Sequence, residues 1–308
     1  MKKILVSGGA GFIGSNLVDA LIQENYEVAV VDNLATGLKE NINPKAKFFE
    51  IDISSFPSVD DVFKQFQPEA VFHLAAQASV RKSVEDPGKD VKTNVIGTVN
   101  LLKACQAHGV KKFIFSSTGG ALYGDDASRP TTEEASISPI SPYGLDKFFG
   151  EKYIGYFKSN SDLQTVVLRY ANVYGPKQNP KGEAGVIAIF ADKMLKDEPI
   201  MVYGDGSSSR DYVYVGDVVE ANLAALKSTV SNAYNISTGE ETSIRELVDK
   251  IKKITDSNSQ VQFKEGRSGE LQASCLDNTR AKLELGWSPK VNLDEGIRKT
   301  VEYLKSIK

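Results

Sequence analysis

Two cysteines and two histidines are all that 308 residues offer of the side chains that build disulfide frameworks and soft-metal centres. Cys105 and Cys275 are read as small buried apolar residues, the usual fate of a lone cysteine. His73 and His108 alone argue against a histidine-ligated metal, so no metal is expected. No apolar run reaches the ~18 residues of a membrane span, and Ile4-Leu5-Val6 is too short for a signal peptide. Charge of one sign is also lacking. With 25% charged residues and a net charge of −3, there is no bias toward nucleic acid or membrane. Basic residues are scattered, so a phosphate site must come from individually placed arginines. What remains is a soluble, cytoplasmic protein of a reducing compartment. Its 41% hydrophobic content suits one large domain or two smaller ones.

Against those absences stands a glycine-rich start. Ile4-Leu5-Val6 suits a strand buried on both faces, and it runs into Ser7-Gly8-Gly9-Ala10-Gly11-Phe12-Ile13-Gly14 and a helical apolar pattern over Asn16 to Ile22. Gly9, Gly11 and Gly14 fit Gly-x-Gly-x-x-Gly, while Gly8, Gly11 and Gly14 fit Gly-x-x-Gly-x-x-Gly. Between a strand and a helix, such glycines permit a tight turn, close approach to a pyrophosphate, and helix–strand packing. A second strand, Val28 to Val31, ends in Asp32, suited to accept hydrogen bonds from adenosine ribose hydroxyls and to repel a 2′-phosphate. Asn33 to Leu38 holds no arginine for that phosphate, which favours NAD. Lys47 to Ile51 is a third strand with Asp52-Ile53 at its end, near an adenine amino group. Val71 to Ala76 is a fourth, and its Leu74, Ala75 and Ala76 would let a cofactor lie against the backbone. His73 is read as a hydrogen-bonded core side chain. Asn94 to Ala107 follows as a helix.

Lys112 to Phe115 forms a fifth strand leading into Ser116-Ser117-Thr118-Gly119-Gly120. Open α/β sheets place their chemistry at such carboxyl ends, where a hydroxyl can meet a substrate oxygen and relay its proton. Ser141 is then a good N-cap and Pro142 a good first helical residue. That sets Tyr143 in the first turn of a helix with Lys147 stacked four residues on. A free tyrosine has a pKa of about 10, and lowering it to ~7 takes about 4 kcal/mol of differential stabilisation. One partly exposed lysine does not supply this, so a second positive charge should lie nearby. On its own the spacing is expected about once by chance in a chain of this size. Thr165 to Leu168 gives a sixth strand. The alternation of strand and helix means a doubly wound parallel sheet.

After Pro176 the alternation loosens into a smaller α/β portion. It has a helix over Val186 to Leu195, a strand over Ile200 to Tyr203, and capping boxes at Ser243-x-x-Glu246 and Asn292-x-x-Glu295. Asp211 to Val215 and Tyr234 to Ile236 are expected to return to the large sheet. Trp287 is read as structural.

The glycine turn, Asp32, the Ser-Ser-Thr segment and the single Tyr-x-x-x-Lys of the chain resemble the extended short-chain dehydrogenase/reductases. Leu168-Arg169-Tyr170-Ala171-Asn172-Val173-Tyr174-Gly175-Pro176, Tyr203-Gly204-Asp205-Gly206, Ser209-Arg210-Asp211-Tyr212-Val213 and Gly266-Arg267-Ser268-Gly269-Glu270 extend the resemblance over nearly the whole chain. They narrow it to the nucleotide-sugar epimerase branch, most like the UDP-glucose 4-epimerases. The resemblance implies a Rossmann-type NAD domain over residues 1–175, with return segments near 211–237, and a UDP-sugar domain over 176–308. Tyr143 would be the acid/base, Lys147 would bind the nicotinamide ribose, and Thr118, with Ser117 as competitor, would contact the sugar. Gly8, Gly11, Phe12, Ile13, Gly14, Asp32, Asn33, Asp52, Ile53, Leu74, Ala75, Ala76, Asn94, Tyr143, Lys147 and Tyr170 would line the cofactor. Asn94 would either touch the nicotinamide region or order the loop before Tyr143. Met201 and Tyr203 would hold the uracil, while Asn172, Arg210 and Arg267 would take the diphosphate, for which a planar guanidinium suits better than a lysine. Glu270 would take the uridine ribose, and Ser274 would line the sugar 2-position with room for an N-acetyl group. Bound NAD⁺ would supply the second positive charge. The implied activity is interconversion of UDP-galactose and UDP-glucose through a 4-keto sugar by transient hydride transfer, in a homodimer. Gly119-Gly120, where a 4,6-dehydratase would have Asp-Glu, counts against that relative. Arg81-Lys82 keeps a uronic-acid substrate open, and a non-catalytic dinucleotide-binding regulator is the reading from another class.

Overall fold

The computed structural model describes residues 2–181, 185–266 and 271–307. Seven parallel strands form the central sheet. They are β1 (Lys3–Ser7), β2 (Glu27–Asp32), β3 (Lys47–Glu50), β4 (Ala70–His73), β5 (Lys112–Thr118), β6 (Gln164–Tyr170) and, from late in the chain, Ala233–Ile236. Running from that late strand, the order is then β6, β5, β4, β1, β2, β3. β1 therefore pairs with both β2 and β4, and the chain reverses its winding direction there. In open α/β sheets that crevice, beyond the carboxyl ends of the strands, is where ligands bind.

The period-2 alternation of the strands sorts their side chains into two cores. Ile4, Val6, Val28 and Val30 point to one face, under helix α1 (Phe12–Gln23) and a helix over Val215–Lys227. Leu5, Val31, Val71 and Phe113 point to the other, under α2 (Phe56–Phe66), a helix over Gly97–Ala107 and one over Pro142–Ser159. Because both faces are covered, the strands read as continuous apolar runs rather than alternating ones. Two short helices, α3 (Val80–Glu85) and α4 (Pro87–Val91), lie ahead of a π-helical turn at Lys92–Ile96, which feeds α5 (Gly97–Ala107); α6 is Pro142–Ser159. The expected helix from Asn94 thus begins as a π turn and becomes α-helical at Gly97.

The remaining strands are β7 (Asn172–Tyr174), β8 (Ile200–Tyr203), β9 (Ser209–Arg210), β10 (Tyr212–Tyr214), β11 (Ala233–Ile236), β12 (Thr242–Ser243), β13 (Val261–Lys264) and β14 (Ala273–Ser274). The helices among them are α7 (Val186–Met194), α8 (Val215–Lys227), α9 (Ile244–Thr255) and α10 (Leu293–Ser306). A third core, with Phe190, Met194, Leu247, Ile251 and Ile297, joins α7, α9 and α10 over β8. Of the two expected return segments, β11 does join the large sheet, beside β6. The other does not: β10 pairs with β7 in a separate two-stranded ribbon. Asp211 lies just before β10. Its buried carboxylate accepts hydrogen bonds from the Thr238 and Gly239 amides and the Thr238 hydroxyl, fastening the start of β10 to the segment that follows β11. Ser243 forms the full capping box with Glu246, and Trp287 donates its indole N–H to the Asp217 carbonyl. No helix among the described residues is long and apolar enough to cross a membrane.

Candidate active site

The glycine turn after β1 shows why three of its positions cannot carry a side chain. Gly8 has φ +76°, and a Cβ there would meet the Ala75 amide nitrogen at 2.5 Å. A Cβ at Gly14 would meet the Gly8 carbonyl oxygen at 2.1 Å. A Cβ at Gly9 would meet the Val30 side chain at 2.8 Å, whereas one at Gly11 would approach the Gly8 carbonyl oxygen only to 3.2 Å, so both glycine spacings share the turn in which β1, α1 and the end of β4 close on one another. The N-cap of α1 is Gly11, which offers no side-chain acceptor, and its first turn carries no acid. The first-turn amides of Phe12, Ile13 and Gly14, with the positive helix end behind them, suit a pyrophosphate.

Asp32 ends β2 with its carboxylate over this turn, accepting from Ala10 N at 3.0 Å and Leu34 N at 2.9 Å. Asn33 is exposed and caps Ala35 N. Asp52 makes a local turn with Ser54 N, and Ile53 is buried, its carbonyl held by Asn100. Leu74, Ala75 and Ala76 lie beside the glycine turn at the end of β4. A small-residue cradle, an uncapped helix start and a strand-end acid together fit a dinucleotide without a 2′-phosphate. His73 stays inside, hydrogen-bonded to Ser7 and Thr98 at 2.8 Å each, and burial holds its pKa well below the usual range.

Helix α6 starts as its sequence requires. The Ser141 hydroxyl accepts from Gly144 N, Pro142 fills the first turn, and the otherwise orphaned Tyr143 N–H donates to the Ser83 hydroxyl of α3. At the carboxyl end of β5 the three hydroxyls take separate paths. Ser116 bonds the Tyr170 phenol, Ser117 donates to Glu151 at 2.6 Å, and Thr118 accepts from Ala121 N at 3.2 Å with its hydroxyl beside the Tyr143 phenol. Pleating puts Ser117 on the opposite face from Thr118, so Ser117 is withdrawn as the site hydroxyl. The Tyr170 phenol is buried between Ser116 and Asn222, which leaves its backbone as the part that could meet a cofactor. Asn94 clamps both backbone polar groups of Gln77, so it orders the segment after β4 and not the loop before Tyr143.

The Tyr143–Lys147 pair differs from expectation in the burial of the lysine. Lys147 is only 4% exposed; its ammonium donates to the Ser116 carbonyl at 2.8 Å and lies 6.0 Å from the Tyr143 ring centre. Burial lowers its pKa to about 8, against the opposing pull of Asp90 and Glu151. The Tyr143 phenol is pushed up to about 12, by desolvation first and then by the Asp90 charge, with the Thr118 hydroxyl acting the other way. The lysine therefore does not by itself make a phenolate, because water withdrawn from the phenol costs the charged form more than the ammonium restores.

Sequence reading missed three groups here. Asp90 on α4 and Asp146 on α6 are buried at 1% and 3% exposure beside the pair. Asp146 lies three residues after Tyr143, on the same helix face, a spacing that was open to notice. Arg169 grips Glu151 with two nitrogens, at 3.0 and 2.6 Å, and donates to the Tyr123 phenol at 2.8 Å. It fixes the acid that faces Lys147.

Of the expected substrate residues, Arg210 lies on β9 beside β14, donating to the carbonyls of Ser209 and Leu271 at 2.7 Å each. Ser274, buried on β14, is its register partner. Asn172 is exposed at the start of β7, with its side-chain oxygen toward Gly120. Met201 and Tyr203 lie on β8, half-buried and exposed respectively. Arg267 and Glu270 lie outside the described residues. Arg81 and Lys82 are exposed on α3, with Arg81 3.8 Å from Glu85.

Known proteins are similar to this chain over nearly its whole length. The UDP-glucose 4-epimerase of Mycolicibacterium smegmatis is 43% identical over 310 residues, covering 99% of each chain. A crystal structure of the Thermotoga maritima UDP-glucose 4-epimerase with UDP-glucose is 50% identical, covers 99% of both chains and superposes with a TM-score of 0.98. The Thermus thermophilus UDP-glucose 4-epimerase, in complex with NAD, is 44% identical, covers 99% of this chain and 100% of that one, and has a TM-score of 0.95. Residues 4–237, from β1 through the strand that completes the large sheet, match a single family model, and the chain belongs to the NAD dependent epimerase/dehydratase family.

Proposed function

We propose that this protein interconverts UDP-glucose and UDP-galactose by inverting carbon 4 of the sugar, with NAD held as a resident cofactor. The observation that carries the reading is the Tyr143 phenol set beside the Thr118 hydroxyl and buried Lys147, at the carboxyl end of the sheet and next to the glycine turn. Gly8, Gly11, Phe12, Ile13 and Gly14 would hold the pyrophosphate, Asp32 the adenosine ribose, and Lys147 the nicotinamide ribose. When bound, NAD supplies an acceptor for the carbon-4 hydride and returns it. Tyr143 takes the proton of the 4-hydroxyl, with Thr118 orienting that oxygen, and gives it back after the 4-keto sugar has turned over. With its pKa near 12, Tyr143 needs a further positive neighbour to act as a base, since the Lys147 ammonium is already shared with Asp90 and Glu151.

The nucleotide must be gripped tightly and the sugar loosely enough to rotate. Arg210, and by resemblance Arg267 and Asn172, meet the first need at the diphosphate, away from the reacting carbon. The small Ser274 side chain beside Arg210 favours acceptance of UDP-N-acetylhexosamines as well. Two free buried cysteines accord with a cytoplasmic setting, and a homodimer through α6 completes the reading.

Purified protein given UDP-galactose should form UDP-glucose without added NAD. No turnover of any UDP-hexose, with NAD bound, would support the regulator instead. Activity on UDP-galactose with none on UDP-N-acetylgalactosamine would refute the Ser274 argument alone.

A further inference from the structure

Asp90 and Asp146 face one another under the Tyr143–Lys147 pair, and each keeps a buried Oδ2 with no hydrogen-bond partner. The other oxygen of Asp90 is taken by the Gln77 side chain at 2.6 Å. Two ionised carboxylates cannot partner each other, because both are acceptors only. Left orphaned, buried oxygens of this kind cost stability. One proton between them removes the conflict by giving one acid a donor and the other an acceptor.

We propose that Asp90 and Asp146 share a single proton and act as positioning residues, presenting one negative charge to Lys147 and Tyr143. The local charges then balance. Glu151 is matched by the bidentate Arg169, and the buried ammonium of Lys147 is matched by the single charge of the acid pair. Loss of the shared proton adds a second negative charge and opposes phenolate formation at Tyr143. Burial, and then Asp90 itself, push the Asp146 carboxyl up to about 7, so the change falls at neutral pH. The other charged groups on the packed elements do not take part in the pair. Arg81, Lys82 and Glu85 on α3, Lys89 on α4 and Lys92 on the π turn are exposed, and His73 on β4 is held neutral by burial.

The function of the pair rests on the epimerase reading, but its protonation can be measured without it. For an acid whose folded pKa exceeds its unfolded value, the folded state binds the extra proton. Stability is therefore lost as pH rises from the unfolded value of 3.8 through about 7. Asp146→Asn mimics the protonated form, since its amide donates to Asp90. Denaturant unfolding of cofactor-free protein from about pH 5 to 9 should show wild type losing ground to Asp146→Asn up to about pH 7 and keeping a constant gap above it. Carboxyl-carbon NMR of the wild type should show one aspartate titrating near neutrality. In the cofactor-loaded enzyme, the kcat profile of Asp146→Asn should lack the neutral inflection. Parallel stability curves for the two proteins, with every aspartate carboxyl titrating at ordinary acidic pH, would overturn the proposal whether or not the enzyme turns over.

Discussion

The Lys147 ammonium lies 6.0 Å from the centre of the Tyr143 ring and is pinned 2.8 Å from the Ser116 carbonyl, so the helix pair is tied directly to the end of β5. The tie fixes the phenol next to Thr118 and gives the lysine no freedom to leave. It also means that the two side chains can be removed separately with different consequences.

Tyr143→Phe removes only the oxygen that handles the proton. The ring still packs, and the glycine turn, Asp32 and Lys147 are untouched. Bound NAD should be retained, with turnover of UDP-galactose reduced by about two to four orders of magnitude, the usual worth of a positioned acid/base. Absorbance of the loaded protein and a coupled assay check both halves. Near wild-type turnover would end the mechanism.

Lys147→Met tests the buried charge. The lysine titrates near pH 8 in the folded protein and at 10.5 when unfolded, so between those values the unfolded chain binds the extra proton. Wild-type stability should therefore rise from pH 8 toward 10.5, and the Met variant should lose that rise. Chemical unfolding of the cofactor-free proteins across that range gives the comparison. Turnover of the variant should fall at every pH, because an ammonium assigned to the nicotinamide ribose is gone.

Much of this was legible in the chain because local chemistry and global fold agree there. The glycine turn, the Asp32 strand end and the Ser141-Pro142 helix start each dictate their own backbone, and the structure forms all of them. The failures share a different cause. Whether Ser117 or Thr118 faces the site depends on the pleat of β5 relative to α6, and the destination of Asn94 depends on which loop folds back over it. Neither is a property of nearby sequence. Asp211 illustrates the same limit: its burial goes with contacts to Thr238 and Gly239 far along the chain. Lys147 was expected to be partly exposed because lysines usually are, and only the packing of α6 on β5 shows otherwise.

The Arg169–Glu151 pair should prove structural as well as electrostatic. Both side chains are less than 10% exposed, and the contact is bidentate. Removing one partner leaves a buried charge uncompensated, so Arg169→Met should lower unfolding free energy by about 3–5 kcal/mol. Replacing both by Arg169→Met with Glu151→Leu should recover part of the loss. Denaturation midpoints of the single and double variants decide it, and a single variant within 1 kcal/mol of wild type, roughly a surface-pair effect, would contradict the assignment.

The outer face of α6 carries the last test. Leu145, Phe149, Tyr153 and Tyr156 are 42%, 44%, 41% and 63% exposed, whereas Lys147, Gly150, Ile154 and Phe157 on the same helix are buried. Spacings of four, four and three residues put the exposed set in one stripe, an unusual amount of aromatic surface to leave in water. A second copy crossing the same helix would bury the stripe on both partners at once, because a twofold interface uses one patch twice. Sedimentation equilibrium should find a dimer, and Phe149→Glu should shift it to monomer by placing two carboxylates in the apolar seam. Tyr143 and Lys147 project from the inner face, so the monomeric variant should keep its cofactor and lose activity only as far as α6 loosens. A wild-type monomer at micromolar concentration would mean that the stripe serves some other contact.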